Sequence, residues 1–333
     1  MLIDGPQMVK DLRIGDQVGT TLAVFKKTLA NYSPTSSRAG EQYLKLLLGD
    51  ATGTIEARVW EGALEASKAC EVDDVVWVEG TVVDYNGPQL TVRSLRRVPK
   101  DRVDPGRYRP CTTRDRQQMW TTLEQIIRGV TSSDIRKLLV GIFLEDTQLG
   151  RAFRIAPAGQ RVHHAYVGGL LEHTLEVVEL ALTACRLHGD FLDRDHLLAG
   201  CLLHDIGKIR EYDLDSLTFR LTDEGRLLGH VVLGENIVER RLWELGLAEG
   251  RMGLHLRHMI LSHHGRREWG SPEVPKTPEA CALFHADLFS ARLNLFRGVA
   301  ESHVDREVEW APWDRYLERS IWVPQDSSGT RYS

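Results

Sequence analysis

The stretch Leu202-Leu203-His204-Asp205-Ile206-Gly207-Lys208 places an adjacent histidine and aspartate at the end of an apolar helix. Helical periodicity puts Asp205 in line with Leu198 and Cys201, on the face that packs into a core. A carboxylate on a buried face is costly unless a positive charge or hydrogen bonds compensate it. A bound cation would supply that charge, so this stretch predicts a metal site inside a helical domain.

Other histidines and aspartates repeat this placement along the downstream sequence. Helical spacing aligns each of them with apolar residues of its own helix; His230, for example, lies in line with Leu227 and Ile237. One such histidine is usually an ordinary core residue, but five helices that all turn His or Asp inward argue against that explanation. The candidate metal ligands are His173, His204, Asp205, His230, His263, His264 and Asp287.

These ligands indicate the type of metal and the type of chemistry. Imidazole and carboxylate without thiolate suit Mn, Fe, Co, Ni or Zn, with Mg as a further candidate. The set suffices for two ions, one held by His173, His204, Asp205 and Asp287, the other by His230, His263 and His264, with Asp205 bridging. Two ions about 3.5–4 Å apart activate a water and stabilise the departing oxygen of a phosphoester. Asp205 and Lys208, which is placed to meet a phosphoryl oxygen or assist the leaving group, are therefore candidate catalytic residues of a divalent-metal phosphohydrolase.

The chain divides into two parts with different periodicity. Residues 10–100 alternate polar and apolar side chains in five short runs with one helical interlude at Ala63–Ala69, which predicts a closed β-barrel of the OB-fold type. A generic five-stranded β domain is the alternative. Residues 101–116 form a basic linker, residues 117–300 an all-α helical bundle, and residues 301–333 an aromatic-rich extension. Predicted helices cover 115–129, 132–144, 168–188, 194–209, 223–245, 251–264 and 277–298.

A local excess of positive charge follows the barrel. The segment Arg93–Arg116 carries nine Lys or Arg against three acids, which is usual for a solvated linker but also suits a barrel that binds single strands through cations and stacking aromatics. Tyr32, Tyr43, Trp60, Trp77 and Tyr85 are available for stacking, although Trp60 and Trp77 suit a core equally well. The candidate strand contacts are Trp60, Tyr85, Arg93, Arg96 and Arg97.

Composition excludes several classes of protein. The chain of 333 residues has a formal net charge of −5, which argues against a globally basic nucleic-acid coat. No apolar run reaches the roughly 18 residues that cross a bilayer, and the N-terminus does not resemble a signal peptide. The five cysteines are scattered and fit neither a disulfide framework nor a zinc motif. We therefore expect a reduced, cytoplasmic protein without a membrane partner.

The motifs together resemble a known family. His204-Asp205, with His173 upstream and Asp287 downstream, is similar to the HD-domain metal phosphohydrolase superfamily. The resemblance to the YhaM-type 3′-to-5′ exoribonucleases is closer and covers roughly residues 10 to 300. It rests on Gly49–Trp60 in the barrel and on His163–Thr174, Gly229-His230, Ser262–Gly265, Glu268–Pro272 and His285–Asp287 in the helical part.

The resemblance implies an OB-fold ahead of an HD domain and a Mn-dependent enzyme, with Co as an alternative ion. Such an enzyme removes nucleoside 5′-monophosphates from the 3′ end of single-stranded RNA, and single-stranded DNA is a second candidate substrate. His163 and His164 resemble phosphate or substrate contacts and are candidate catalytic residues, although metal coordination, a capping role or a place in the core suits them too. Arg161 is a weaker candidate for substrate binding. Gly159-Gln160 departs from the small and basic residues expected there.

Two other functions stay open. The first is an HD phosphohydrolase that acts on a nucleotide or cyclic dinucleotide, and the second is a single-strand-binding protein whose HD domain is not catalytic. The extension with Trp310, Trp313, Tyr316 and Trp322 either covers the helical domain or forms a subunit interface of a homo-oligomer, and packing is the expectation. Residues 325–333 are expected to fray.

Overall fold

The structure, a computed structural model, describes residues 7–33, 35, 37–85, 87–159, 164–302 and 308–324. The chain forms two compact units. The first contains the residues up to Cys111 together with Leu214–Arg220, and the second contains Thr112–Asp213 and the residues from Leu221 onward. Among the described residues, no helix combines the length and the apolar character needed to cross a membrane.

The first unit is built on a closed five-stranded barrel with the strand order β1-β2-β3-β5-β4. All neighbouring strands are antiparallel except β3 and β5, which are parallel. The predicted OB-type barrel is confirmed. Its elements are β1 (Gln17–Asn31), β2 (Gln42–Asp50), β3 (Gly53–Val59), α1 (Ala63–Ala69), β4 (Val75–Asp84) and β5 (Pro88–Arg97).

Alternation along the strands explains why this sequence closes into a barrel. In β3, Ile55, Ala57 and Val59 are buried, whereas the polar residues between them lie outside the core. Gly80 lies at an irregularity between β4 and β5, where a Cβ would come within 2.2 Å of the Thr91 carbonyl oxygen. Only glycine allows the two strands to approach so closely there.

A second small core extends the barrel unit beyond its strands. Tyr108, from the predicted linker, packs with Ala23, Val75 and Leu217. The carboxylate of Asp73 accepts a hydrogen bond of 2.7 Å from the Ser216 hydroxyl. Residues up to Cys111 and the distant segment Leu214–Arg220 therefore belong to the barrel unit.

The second unit is a bundle of helices, and the predicted all-α HD domain is confirmed. Side chains of Asp115, Asp146, Asp193 and Thr222 accept hydrogen bonds from main-chain N–H groups at the starts of four helices. The helices are α2 (Arg116–Arg128), α3 (Ser133–Val140), α4 (Thr147–Ile155), α5 (Gly169–His188), α6 (Arg194–Leu203), α7 (Lys208–Glu211), α8 (Asp223–Glu244), α9 (Arg251–Ser262) and α10 (Pro278–Ser302).

Two helices differ from their predicted course. The helix predicted at 194–209 ends at Leu203, and a tight turn at residues 204–207 leads into α7. The turn packs so closely that a Cβ on Gly207 would lie 1.9 Å from the His230 carbonyl oxygen. In α8, Gly229 has φ of 73° and kinks the helix. The predicted alignment of His230 with Leu227 is wrong, because the kink separates them and Leu227 is 83% exposed.

The C-terminal extension forms a hairpin of β6 (Trp310–Asp314) and β7 (Arg319–Trp322). Its Ala311, Leu317 and Ile321 are buried and form a core with residues of α10, among them Leu295 and Phe296. The expected packing is wrong for the aromatic side chains, since all four are exposed: Trp310, Trp313, Tyr316 and Trp322. The pleat accounts for Trp310 and Trp322, because each adjoins a packed residue, Ala311 or Ile321, and therefore points to the opposite face. The register irregularity between Ala311 and Asp314 interrupts this alternation at Trp313. The predicted frayed tail at 325–333 lies outside the described residues.

Candidate metal centre

The helical unit brings all seven predicted ligands into one cluster. His173 comes from α5, His204 and Asp205 from the turn after α6, and His230 from α8 just beyond its kink. His263 and His264 follow the end of α9, and Asp287 lies on α10. Five separate helices therefore contribute to the cluster, which is why no short stretch of the sequence contains it.

Three of these residues form a first ligand group. His173 Nε2 lies 3.1 Å from Asp287 Oδ1 and 3.4 Å from His204 Nε2. The three candidate ligand atoms lie within 4.8 Å of one another. His173 and His204 are completely buried.

The second ligand group consists of His230, His263 and His264, whose ligand atoms also lie within 4.8 Å of one another. His230 Nε2 is 3.2 Å from His264 Nε2. The buried His263 ring packs edge-on against His264 at a centroid distance of 4.3 Å.

Asp205 lies between the two ligand groups and turns one oxygen toward each. Oδ2 is 3.4 Å from His204 Nε2 in the first group, and Oδ1 is 3.5 Å from His230 Nε2 in the second. The Lys208 ammonium donates to Oδ2 at 2.6 Å and to the Ala158 carbonyl oxygen. Burial raises the pKa of the Asp205 carboxyl, but Lys208 and the facing histidines lower it by more, so the net pKa is well below its usual value.

Every histidine of the cluster is held through its Nδ1 atom. Main-chain carbonyl oxygens accept this hydrogen bond from His204, His263 and His264 at 2.8, 2.7 and 3.1 Å. The Glu211 carboxylate accepts it from His230 at 3.0 Å, and the Ser290 hydroxyl lies 3.1 Å from Nδ1 of His173. Because carbonyl and carboxylate oxygens only accept, the proton of His204, His230, His263 and His264 sits on Nδ1 and the Nε2 lone pair faces the cluster.

The hydrogen bonding and protonation of the cluster's side chains suit a divalent cation. Asp205 Oδ1 and His263 Nε2 are buried and have no hydrogen-bond partner within the part of the chain that the structure describes. Two Nε2 atoms face each other in each group at 3.2–3.4 Å, and two lone pairs at such a distance repel unless a proton or a metal ion lies between them. Neutral imidazole and ionised carboxylate are the states that bind metal. Burial lowers the pKa values of His173, His263 and His264, which favours the neutral ring.

A cavity of about 470 Å³ adjoins the cluster. Ligand-group residues line it together with Lys208 and the aromatic side chains of Tyr212, Trp269 and Phe284. This volume lies within the range of about 300–1,000 Å³ that is usual for small-molecule sites. A substrate in this cavity would meet Asp205, Lys208 and both ligand groups.

The remaining catalytic candidates are placed differently. His164 is 1% exposed, lies 3.4 Å from Glu176 through Nε2, and contacts Asn294 at 3.1 Å, so it is buried in the protein rather than lining the cavity. His163 and Arg161 lie outside the described residues.

Sequence reasoning missed residues that hold the ligands. Glu211 accepts from both the main-chain N–H and the ring of His230, at 3.1 and 3.0 Å. Ser290 contacts His173, and Trp269 offers its carbonyl oxygen to His264. Serine, glutamate and a main-chain oxygen carry no spacing signal of their own. The position of Ser290 three residues after Asp287, on the same helical face, could have suggested one of them, and Trp269 lies in the Glu268–Pro272 motif.

In the barrel unit, Trp60 belongs to an aromatic cluster with Tyr32 and Tyr43. The Tyr43 and Trp60 rings stack at 4.9 Å with an angle of 26°, and Tyr32 lies 5.0 Å from Tyr43. All three rings are half-buried. Cations lie over two of them, Arg38 at 4.7 Å from Tyr32 and Lys45 at 5.4 Å from Tyr43.

The other predicted strand contacts lie on β5 and the loop before it. Tyr85 is 66% exposed, and the Arg93 side chain is 76% exposed. Arg96 stacks over Trp77 at 5.5 Å. Arg97 differs, since it forms an ion pair of 2.8 Å with the buried Asp74.

Comparison with known proteins agrees with this architecture. Residues 170–292 match the family model of the HD domain, and residues 23–98 match that of the OB-fold nucleic acid binding domain. Residues 110–192 also match a model described as a putative helicase.

Curated relatives match nearly the whole chain. A protein of Shouchella clausii is 32% identical over 93% of this chain and 92% of its own length. A Geobacillus protein is 30% identical over 92% of this chain and 89% of its own length. A Bacillus subtilis protein is 30% identical over 92% of both chains. Each is named 3′-5′ exoribonuclease YhaM. With this similarity over the barrel and the helical domain alike, the chain belongs to the YhaM family of 3′-5′ exoribonucleases.

Proposed function

We propose that this protein is a metal-dependent 3′-to-5′ exoribonuclease that releases nucleoside 5′-monophosphates from single-stranded RNA. The observation that carries the proposal is the pair of ligand groups on either side of Asp205, beside an open cavity, in a member of this family. Such a site suits hydrolysis of a phosphodiester, because the bond to be cut carries oxygens that cations polarise and stabilise.

The proposed cofactor is a pair of divalent ions, with Mn as the first candidate. His173, His204 and Asp287 would hold one ion, and His230, His263 and His264 the other, with Asp205 shared. Bound ions would supply an activated water and charge stabilisation for the leaving oxygen. The chain's own residues fix the ligand orientations through Nδ1, and Lys208 keeps Asp205 ionised and aligned.

The barrel is proposed to bind the single strand. Its aromatic cluster of Tyr32, Tyr43 and Trp60 presents partly exposed rings with cations beside them. Rings of this kind stack on bases of any sequence, and nearby cations contact the backbone phosphates. RNA is the proposed substrate, and single-stranded DNA is a second candidate that requires a direct comparison. The predicted homo-oligomer stays a prediction.

One assay tests the function. RNA labelled at its 5′ end, the same RNA with a blocked 3′ end, and DNA of equal sequence are incubated with Mn²⁺ or with a chelator. The proposal expects shortening from the 3′ end that requires metal, is slowed by the 3′ block and is lost in Asp205→Ala. Intact RNA alongside hydrolysis of nucleotides or cyclic dinucleotides would indicate the small-molecule phosphohydrolase instead. Tight strand binding without turnover of either class would indicate a binding protein.

A further inference from the structure

His173 is held differently from the other four histidines of the cluster. Their Nδ1 atoms face a carbonyl or carboxylate oxygen, which can only accept a hydrogen bond. Nδ1 of His173 instead faces the hydroxyl of Ser290 at 3.1 Å. A hydroxyl both donates and accepts, so it does not by itself decide where the imidazole proton lies.

Glu176 removes this ambiguity. The Ser290 hydroxyl lies 2.8 Å from Glu176 Oε2 and has one proton to give. Burial raises the pKa of Glu176, but hydrogen bonds from His164 and Ser290 lower it by more, so the group is ionised and accepts that proton. Ser290 then has only lone pairs for His173, which must donate from Nδ1 and present its Nε2 lone pair to the first ligand group.

The arrangement joins two helices at the metal centre. Glu176 lies three residues after His173 on α5, and Ser290 lies three residues after Asp287 on α10, so each pair shares a helical face. Ser290 is 5% exposed. Glu176 is further fixed by His164, whose Nε2 lies 3.4 Å away. The hydrogen-bonded chain Glu176–Ser290–His173 therefore sets the tautomer of His173 and ties its helix to that of Asp287.

We infer that Ser290 and Glu176 are positioning residues that orient His173 toward the first ion, and that His164 serves this arrangement rather than contacting substrate. The inference rests on the proposed metal centre. Groups that hold metal-bound histidines in this way are typically worth about 10–100-fold in metal affinity.

The test measures metal binding without RNA. Full-length protein is stripped with chelator, and Mn²⁺ is titrated calorimetrically into wild type, Ser290→Ala, Glu176→Gln and the double variant. We expect one binding event to weaken about 10–100-fold in Ser290→Ala and less in Glu176→Gln, with the other event unchanged. Because Glu176 acts through Ser290, the double variant should bind no more weakly than Ser290→Ala alone.

Two controls separate positioning from general structure. Glu179→Gln removes a carboxylate one turn along the same face of α5 and should bind Mn²⁺ like wild type. Ser290→Thr keeps the hydroxyl and should recover most of the affinity. Unfolding midpoints of the metal-free proteins should stay close together. Wild-type affinity in both Ser290→Ala and Glu176→Gln, or additive losses in the double variant, would overturn the inference. Weakened metal binding in a protein that degrades no RNA would leave it standing and refute the proposed function.

Discussion

The metal centre and the aromatic cluster of the barrel are organised in opposite ways. In the metal centre, each histidine is fixed through Nδ1, and His173, His204 and His263 are at most 1% exposed. In the aromatic cluster, the rings of Tyr32, Tyr43 and Trp60 lie mainly against one another and remain partly exposed. Hydrogen bonds thus fix the side chains of the centre, whereas the rings of the barrel, the proposed stacking surface, have exposed edges that would suit bases of any sequence.

This difference predicts that substitutions in the two regions have separable effects. Changes at the centre should reduce metal binding and turnover while leaving strand affinity intact. Changes at the aromatic cluster should reduce strand affinity while leaving metal binding intact.

The largest effect is expected for Asp205→Asn. The substitution removes the charge that faces both ligand groups and leaves Lys208 without its carboxylate partner. We expect RNA cleavage to fall at least about 100-fold, because residues that merely support ligands already cost about 10–100-fold. Initial rates on labelled RNA measure the loss, and a filter-binding assay should show unchanged strand affinity. A loss of strand affinity as large as the loss of rate would contradict the separation.

Glu211→Gln should have the next largest effect. The amide oxygen can still accept from His230, but the charge that strengthens both hydrogen bonds is lost. We expect Mn²⁺ affinity to weaken about tenfold, at the lower end of the usual range for such supporting residues. Excess Mn²⁺ should restore most of the activity. Activity that remains low at saturating Mn²⁺ would indicate another role for Glu211.

On the barrel side, Trp60→Ala should weaken binding of single-stranded RNA. Base stacking on such a ring contributes about 1–3 kcal/mol, so affinity should fall about tenfold at constant salt. Trp310→Ala is the matched control, since this tryptophan is exposed but lies on the C-terminal hairpin. Fluorescence anisotropy measures affinity, and Mn²⁺ binding should not change. Equal losses of RNA affinity in the two variants would contradict a specific role of the barrel in strand binding.

The smallest expected effect is a loss of folding stability as the pH falls. Burial holds the pKa values of His173, His263 and His264 below their ordinary value of 6.5. Below pH 6.5 the unfolded chain therefore takes up protons that the folded protein does not, so stability is lost as pH falls through the folded pKa values. The raised pKa of His204, where Asp205 outweighs burial, opposes this in part.

We expect the unfolding midpoint of the metal-free protein to fall between pH 7.5 and pH 5.5, roughly one pH unit on each side of the ordinary histidine pKa. The fall should be smaller in His263→Asn, which lacks one of the three histidines. Scanning calorimetry at the two pH values provides the measurement. A midpoint that rises toward pH 5.5 would show that the histidines are charged in the folded protein.

The sequence predicted a β-barrel followed by a helical domain, and it predicted the seven residues that the structure brings into one cluster. Alternation in the barrel strands and the inward faces of the helices are local patterns, and they carry over directly into the structure. Backbone geometry at a single glycine overrides such a pattern in α8. Gly229 kinks α8, so His230 reaches the cluster although its assumed neighbour Leu227 is exposed.

The residues that support the ligands could not have been found in the same way. Glu211 contacts His230, which is 19 residues away in the sequence, and Ser290 contacts His173, which is 117 residues away. Such contacts depend on how helices pack rather than on the period of any one helix. Likewise, no pattern distinguished the buried face of the C-terminal hairpin from the face that exposes its tryptophans.

The two ligand groups around Asp205 are the central feature of the proposed metal centre. Crystals grown with Mn²⁺ and measured at the manganese absorption edge would locate the ions by anomalous scattering. We predict two peaks, one bonded by His173, His204 and Asp287 and the other by His230, His263 and His264, with the Asp205 carboxylate contacting both. A single peak away from Asp205, or no peak at saturating Mn²⁺, would contradict a two-ion centre around Asp205.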